Sequence, residues 1–280
     1  MKIDLHSHST ASDGKLSPER LIDLAIKQGV KTLALTDHDS ISGLERALEY
    51  SRDKNIELVL GIEFSANPGD LAKELHVLGL FIDIKNKEIK ELIEKQKEFK
   101  LEHTKKLIKK LNQLGYDLTF EEVSKHSNKS FFGRPAIARF LVSKYPQFKT
   151  VEQVFSELLG SEGKAFCKNE STPIQKIIQV IHKAGGLAIL AHPGYIDPDV
   201  ENVIQEFIKF GGDGLEVDYP YVLLREEAPK LRNKFRKIAE ENNLIISGGT
   251  DFHEENKDFN LGDFGLTEKE FKKMKAGLKH

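Results

Sequence analysis

The sequence predicts an α/β protein, with a (β/α) barrel favoured over an open doubly wound sheet. Short apolar runs alternate with longer amphipathic segments, as strands and helices do in βα repeats. Repeated strand-then-helix units place their strands in parallel, and about seven of them suffice to close a barrel. No helix is preceded by the glycine-rich sequence that opens a nucleotide-binding helix in many open sheets.

The strands and first helices follow this rhythm in order. Seven segments have the length and apolar content of buried strands: 3–5, 32–36, 57–62, 76–82, 187–191, 214–217 and 244–247. Ser17 and Pro18 form a cap and first-turn proline for the first predicted helix, and Gly29 follows its end. Residues 42–53 repeat the helical spacing and predict a second βα unit.

The middle of the chain departs from this pattern. From about residue 85 to 163 the sequence shows helical patterns without strand-like runs. We therefore predict a small helical insertion at 100–165, interpreted as a substrate cap, between barrel segments 1–99 and 166–280. Residues 101–150 carry ten Lys and Arg against four Asp and Glu. This local excess of +6 is either a solvated helical surface or a means of attracting an anionic substrate.

Composition excludes several classes of protein. A chain of 280 residues with 39% hydrophobic content is too long for a disulfide scaffold and too apolar for a disordered tail. Its single cysteine, Cys167, is assigned to packing. We expect a cytoplasmic protein without a membrane partner, because no apolar run reaches membrane-span length and no signal-peptide core is present. The net charge of −2 gives no global attraction to nucleic acid, and no stable protein partner is implied.

Polar residues with metal-ligating chemistry gather at the predicted strand ends. Six histidines lie there: His6, His8, His38, His76, His192 and His253. Three carboxylates accompany them: Asp13, Glu63 and Asp251. A separate structural explanation would be needed at every one of these positions, so the pattern indicates a multinuclear metal site. Nitrogen and oxygen donors without thiolate suit zinc, manganese or iron. The remaining histidines are interpreted as solvated helical positions (His103, His182), a loop residue (His126) and a terminal residue (His280).

These segments resemble the polymerase and histidinol phosphatase (PHP) phosphoesterase family. The matching sequences are Asp-Leu-His-Ser-His at 4–8, Ser-Asp-Gly at 12–14, Thr-Asp-His-Asp at 36–39, Gly-Ile-Glu at 61–63, Glu-Leu-His at 74–76, Ala-His-Pro at 191–193 and Gly-Thr-Asp-Phe-His at 249–253. The resemblance implies a distorted (β/α)7 TIM-like barrel that binds up to three divalent ions.

The resemblance also implies which residues hold each ion. The first ion is assigned to His6, His8, Glu63 and Asp251. The second is assigned to Asp13, His38 and His253. The third is assigned to Glu63, His76 and His192. Asp251 and His253 are further expected to act in catalysis, and His192 to contact substrate.

Within the family, the Gly-Arg-Pro sequence at 133–135 resembles a branch with a helical insertion. That branch includes phosphatases of nucleoside 3′,5′-bisphosphates and 5′→3′ exonucleases that act on short 5′-phosphorylated RNA. Arg134 is expected to bind phosphate, since a planar guanidinium presents five donors. The alternative is a residue at a helix start, followed by a first-turn proline. Ala136 stands where related sequences often carry histidine, which leaves the substrate preference open.

The predicted function is metal-dependent hydrolysis of a nucleotide phosphate ester or of the terminal diester of a short oligoribonucleotide. A hydroxide between two metals would attack phosphorus, because metal coordination lowers the pKa of water from about 15.7 to about 7. Asp37 and Asp39 are expected to accept hydrogen bonds from ligand imidazoles. A histidinol-phosphate phosphatase and a non-catalytic PHP binding module are the alternatives.

Overall fold

The computed structural model describes residues 1–67, 69, 72, 75–125, 133–160, 162–167, 170–197, 199–224, 226–255 and 258–278. The chain divides into two compact units, Met1–Ile93 with Thr172–His280 and Glu94–Ser171. The predicted insertion at 100–165 lies inside the second unit. Its role as a substrate cap stays a prediction.

The first unit is built on a mostly parallel sheet. Its strands are β1 (Lys2–Asp4), β2 (Val30–Leu35), β3 (Glu57–Asn67), β4 (Leu75–Leu80), β5 (Thr172–Pro173), β6 (Leu187–Leu190), β7 (Gly214–Asp218) and β8 (Ile245–Gly248). The strand order is β1-β2-β3-β4-β6-β7-β8, with β5 paired to β3. Strand β4 is antiparallel to both neighbours, whereas the other described strand pairs are parallel.

This sheet differs from an all-parallel closed barrel in two respects. Strand β4 follows β3 after residues 68–74, a connection too short for the helical crossover that parallel strands require. The strand ladder is also open between β1 and β8. Leu5, just after β1, donates its N–H to the carbonyl of Gly248, the last residue of β8, at 3.1 Å. Further along, His8 N–H donates to the Phe252 carbonyl at 2.9 Å. The structure is therefore an α/β fold with a mostly parallel sheet, and closure into a (β/α)7 barrel stays a prediction.

Helices connect the strands and form most of the second unit. They are α1 (Pro18–Lys27), α2 (Leu44–Ser51), α3 (Lys87–Gln113), α4 (Phe120–Lys125), α5 (Arg134–Lys144), α6 (Val151–Val154), α7 (Ile174–Lys183), α8 (Val200–Lys209), α9 (Ala228–Glu241) and α10 (Glu268–Ala276). A π-helix, Phe155–Leu159, continues α6. Helix α1 begins as the sequence predicts, because the Ser17 side chain accepts from Arg20 N–H and Pro18 occupies the first turn.

Each unit has its own hydrophobic core. In the first, the apolar faces of the helices pack against the sheet, as Ile178 of α7 and Phe207 of α8 do. In the second, Leu111 of α3 and Leu141 of α5 are fully buried among helices, and Cys167 packs against this core. In the described part of the chain, none of the helices combines the length and the apolarity that a membrane span requires.

Candidate metal centre

All nine predicted metal ligands lie in the first unit, around the carboxyl ends of its parallel strands. They follow β1 (His6, His8, Asp13), β2 (His38), β6 (His192) and β8 (Asp251, His253), or lie within β3 (Glu63) and β4 (His76). His76 is the second residue of β4. Since β4 is antiparallel, its beginning lies at the edge where its parallel neighbours end.

Glu63 is the fully buried carboxylate at the middle of this cluster. Its Oε2 has three imidazole neighbours: His6 Nε2 at 3.2 Å, His8 Nε2 at 3.2 Å and His38 Nδ1 at 3.0 Å. Its Oε1 has two others: His76 Nδ1 at 3.0 Å and His192 Nε2 at 3.0 Å. Burial alone would raise the pKa of Glu63, but the imidazoles, His38 and His6 foremost, hold it well below its usual range. The side chain is therefore ionised and presents one oxygen to each side of the site.

Asp251 carries the second central carboxylate, on a backbone with a positive φ of 51°. Its Oδ1 lies 2.9 Å from His8 Nε2, while its Oδ2 accepts from the Tyr219 hydroxyl at 2.8 Å. Among the described residues, Asp251 Oδ1 and both ring nitrogens of His8 are buried without a hydrogen-bond partner. Buried donors and acceptors are normally satisfied, so Asp251 Oδ1 and the one lone pair of a neutral His8 ring fit a bound cation.

The donor atoms form three overlapping groups, within each of which they lie no more than 4.8 Å apart. The groups are His6, His8, Glu63 and Asp251; His8, Asp13, His38 and His253; and His38, Glu63 and His76. The first has the same members as the set predicted for the first ion, and the second adds His8 to the predicted set. The third contains His38 where His192 was predicted, although His192 Nε2 also lies 3.3 Å from His76 Nδ1. Which residues bind which ion stays a prediction.

The charges of these residues also fit cations. Burial raises the pKa of Asp251, but His6 and His253 outweigh it and lower this pKa well below its usual range. Burial lowers the pKa of His253, but Asp251 and Asp13 raise it to about 10. Without ions, His253 thus holds a proton that balances the carboxylates around it. A divalent ion can replace those protons, because it coordinates neutral imidazole.

Glu216, on β7, is a residue of the site that the sequence analysis missed. It is fully buried, with Oε1 2.9 Å from His6 Nδ1 and Oε2 accepting from His192 N–H at 2.7 Å. The first contact places a proton on Nδ1 of His6 and leaves Nε2 to a metal ion. The sequence does indicate Glu216, because it is a carboxylate inside the apolar run at 214–217. His76 was identified by the same kind of polar interruption of an apolar run.

Asp37 and Asp39 hydrogen-bond serine groups beside the ligands, and Glu216 makes the kind of contact with a ligand imidazole that was predicted for them. Asp37 accepts from the backbone and hydroxyl of Ser9 at 2.8 and 2.7 Å and from the Ser12 hydroxyl at 2.6 Å. Asp39 accepts from the backbone and hydroxyl of Ser65 at 3.0 and 2.9 Å. Both carboxylates therefore fix the backbone next to ligands, and their predicted contact with a ligand imidazole stays a prediction.

Arg134 lies in the second unit, at the first residue of α5 and before a proline. Its guanidinium carbon is 5.9 Å from the centre of the Phe155 ring. Ala136, two residues on, is fully buried in the core of that unit. Both the phosphate-binding role of Arg134 and the helix-start alternative stay open on these contacts.

The histidines interpreted as ordinary residues have mixed outcomes. His103 is buried, with Nε2 2.9 Å from the Cys167 carbonyl oxygen, so its interpretation as solvated is wrong. His103 has lysine neighbours on a helical pattern, and this pattern does not show that its ring is buried inside the second unit. His182 is exposed and pairs with Asp213 at 2.7 Å. His126 and His280, like Glu74 of the quoted motifs, lie outside the described residues.

The chain is similar to known proteins along most of its length. The model of the PHP domain family matches residues 4–192. The chain is 34% identical to a 5′-3′ exoribonuclease from Haemophilus influenzae over 255 residues, 90% of each chain. It is 31% identical to a 3′,5′-nucleoside bisphosphate phosphatase from Chromobacterium violaceum, over 90% of this chain and 87% of that protein. An amidohydrolase from Chromobacterium violaceum, solved with bound sulfate and no metal, matches with a TM-score of 0.85 and 28% identity over 99% of this chain and 96% of that one.

Proposed function

Because this chain belongs to the PHP domain family, we propose that it is a metal-dependent phosphoesterase that hydrolyses phosphate esters of nucleotides. One observation carries the proposal: the described donors form three overlapping groups of imidazoles and carboxylates. Two of them share the buried carboxylate of Glu63, and the other overlaps both through His8 and His38. Structural ion pairs seldom leave buried ring nitrogens without hydrogen-bond partners, as His8 does among the described residues. A centre that holds several cations suits a substrate with several negative charges.

We assign the substrate class from the relatives together with the site. The names of the exoribonuclease and of the nucleoside bisphosphate phosphatase both describe enzymes that act on phosphate esters of nucleotides. We therefore propose a nucleoside 3′,5′-bisphosphate or a short 5′-phosphorylated oligoribonucleotide as substrate. The distorted (β/α)7 barrel belongs to the same proposal, supported by the hydrogen bonds that connect the segments after β1 and β8.

The donor groups would hold up to three divalent ions. His6, His8, Glu63 and Asp251 form the first site, and oxygen and nitrogen donors without thiolate suit manganese, zinc or iron. When bound, the ions supply a nucleophilic water at neutral pH and neutralise charge on the phosphate oxygens. Glu63 would offer a ligand oxygen to two of the ions, because its two oxygens face different imidazoles.

The surrounding residues hold protons and orient the ligands. Glu216 keeps a proton on His6 Nδ1, so that Nε2 of the same ring keeps its lone pair. Tyr219 donates to Asp251 Oδ2, which orients Asp251 Oδ1 toward His8. Arg134 enters the proposal as a ligand for substrate phosphate, supported by its Gly-Arg-Pro sequence and by the bidentate chemistry of guanidinium.

A substrate panel tests the proposal. Protein loaded with Mn²⁺ is mixed with adenosine 3′,5′-bisphosphate, with short 5′-phosphorylated RNA and with histidinol phosphate, and kcat/KM is measured for each. We expect release of phosphate or mononucleotide from the first two at a higher kcat/KM than phosphate release from histidinol phosphate. Preference for histidinol phosphate would replace the nucleotide assignment. Protein that binds no metal and hydrolyses none of the three would support a binding module instead.

The variant Arg134→Ala tests the phosphate-binding role separately. We expect unchanged metal content and a kcat/KM lower by about 100-fold or more, because only a substrate contact is lost. The control is Arg139→Ala, which removes a neighbouring positive charge on α5. Unchanged kinetics in Arg134→Ala would leave Arg134 as a helix-start residue.

A further inference from the structure

A cavity of about 280 Å³ lies beside the metal centre, within the first unit. Four of its lining residues are metal-centre residues: His38, His76, His192 and Asp251. The others described are Leu75, Tyr195, Ile196 and Tyr219. The cavity thus combines a polar portion suited to an anion at the ions with an apolar and aromatic portion.

The aromatic portion is part of a packed group of three tyrosines. The ring of Tyr195 meets Tyr219 edge-on at 5.7 Å and Tyr221 at 5.5 Å, and the last two are 4.9 Å apart. Tyr221 is fully buried and Tyr219 nearly so, whereas Tyr195 is half-buried. Tyr195 is therefore the member of this group with the most ring surface available to a ligand.

The backbone fixes Tyr195 in this position. Tyr195 ends a short 3₁₀-helix, Pro193–Tyr195, that directly follows His192. Gly194 N–H donates to the Tyr221 hydroxyl oxygen at 3.3 Å, and a Cβ at Gly194 would lie only 2.5 Å from Cε1 of that ring. Only glycine lets the backbone at position 194 come this close to the Tyr221 ring. The ring therefore packs directly against the turn that carries Tyr195 and supports it. An aromatic surface held in place before binding loses little conformational entropy when a ligand stacks on it.

We propose that Tyr195, with Leu75, Ile196 and Tyr219, forms a subsite for the nucleobase of the nucleotide whose phosphate lies at the metal centre. This inference rests on the proposed function. The cavity is at the lower limit of small-molecule pockets, roughly 300 Å³, so it suits one nucleotide unit rather than several. A tyrosine face stacks on any base, because every base has a π-face. The subsite therefore selects for the presence of a base and discriminates little among bases.

The test compares substrates with and without a base. For Mn²⁺-loaded protein, kcat/KM is measured with adenosine 3′,5′-bisphosphate and with its abasic analogue, ribose 3,5-bisphosphate. The ratio of interest is kcat/KM for the bisphosphate with the base divided by kcat/KM for the abasic analogue. In Tyr195→Ala we expect this ratio to be about tenfold or more lower than in the wild-type protein, since the stacking contribution is lost. Tyr195→Phe keeps the ring and should keep the ratio. The control is Tyr50→Ala, a surface tyrosine of α2, which should also keep it. An unchanged ratio in Tyr195→Ala would overturn the proposal.

Binding measurements separate this inference from the proposed function. Calorimetry compares adenosine 5′-monophosphate with ribose 5-phosphate on the same proteins without need of turnover. Tighter binding of the nucleotide that is lost in Tyr195→Ala supports the subsite even if wild-type protein hydrolyses no panel substrate, an outcome that would reject only the proposed reaction. Tyr195→Leu, which keeps apolar volume without a ring, replaces Tyr195→Ala if that variant fails to fold. Equal binding of both ligands by the wild-type protein would overturn the subsite.

Discussion

The two oxygens of Glu63 face different imidazoles, so one side chain contributes to more than one group of donors. A carboxylate can bridge two cations because both of its oxygens carry negative charge and lone pairs. Glutamine at this position would offer one neutral oxygen, and its amide nitrogen would present hydrogens to the other ion. The geometry of Glu63 therefore makes it the residue whose charge should matter most for metal occupancy.

We predict that Glu63→Gln binds less metal than the wild-type protein. We expect the metal content to fall by about half or more and activity by at least about 100-fold, because two ions lose a charged ligand. Elemental analysis of purified protein measures the content. The control is Glu57→Gln on the same strand, where the carboxylate is exposed and pairs with Lys275. Full metal content in Glu63→Gln would contradict a bridging role.

We predict a smaller, positional effect for Glu216→Gln. His6 Nδ1 and His192 N–H meet different oxygens of Glu216, so in glutamine one of these two donors would face an NH2 group instead of an acceptor. We expect metal affinity or activity to fall by about 10- to 100-fold, as for other residues that orient metal-ligating histidines. Competition with a metal-binding dye gives the affinity, and Glu206→Gln on the surface of α8 is the control. Wild-type affinity and activity in Glu216→Gln would show that the orientation of His6 does not depend on this carboxylate.

At the residue scale, the sequence predicted the site where polar residues interrupt or follow apolar runs. His6, Glu63 and His192 satisfy that rule and meet in the structure. Glu216 satisfies it as well but was overlooked, because no family motif drew attention to it. The contact between Tyr219 and Asp251 could not be predicted, since nothing in a single sequence specifies side-chain pairs between separate strands.

At the scale of elements, the position of β4 was predicted and its direction was not. An apolar run looks the same in either direction, so the strand predicted at 76–82 carried no information on polarity. The predicted bounds leave residues 63–75 between the two strands, enough for the crossover of a dozen or more residues that parallel strands require. In the structure β3 continues to Asn67, so only residues 68–74 connect the strands. The reversal matters for the site. It places the beginning of β4, which carries His76, at the edge of the sheet where the other ligands lie.

The turn after β6 offers a test at the same scale. We predict that Gly194→Ala destabilises the protein by about 1–3 kcal/mol, because the added Cβ would meet the buried ring of Tyr221 at 2.5 Å. Urea unfolding of metal-loaded protein measures this change in free energy. Gly277→Ala, at the end of α10 where the nearest side-chain atom is 3.2 Å away, is the control and should change it by less than about 0.5 kcal/mol. Equal effects of the two substitutions would mean that the Tyr221 ring can move aside.

At the scale of the whole molecule, the sequence reveals the two kinds of architecture more clearly than the border between them. Strand-like runs are absent from the middle of the chain, and there the structure has helices around a second core. The border at residues 93 and 94 falls inside α3. Helical periodicity continues through this border, so neither composition nor a turn marks it in the sequence. Ile93 belongs to the first core and Leu107 to the second, although one helix carries both.

The ligands come from six separate segments of the first unit, so metal binding should stabilise its fold in a pH-dependent way. Without metal, burial lowers the pKa of His253, but the carboxylates of Asp251 and Asp13 outweigh burial and raise this pKa to about 10. The stability that its proton contributes is therefore fully present below the unfolded pKa of about 6.5 and is lost as pH rises toward about 10. Metal requires the neutral ring, so protons compete with metal most strongly at low pH.

We predict that the rise in Tm on adding Mn²⁺ is larger at about pH 8 than at about pH 6. Differential scanning calorimetry with and without a chelator measures both values, and Glu63→Gln should show a smaller rise at each pH. An equal rise at the two pH values would contradict proton competition at these histidines.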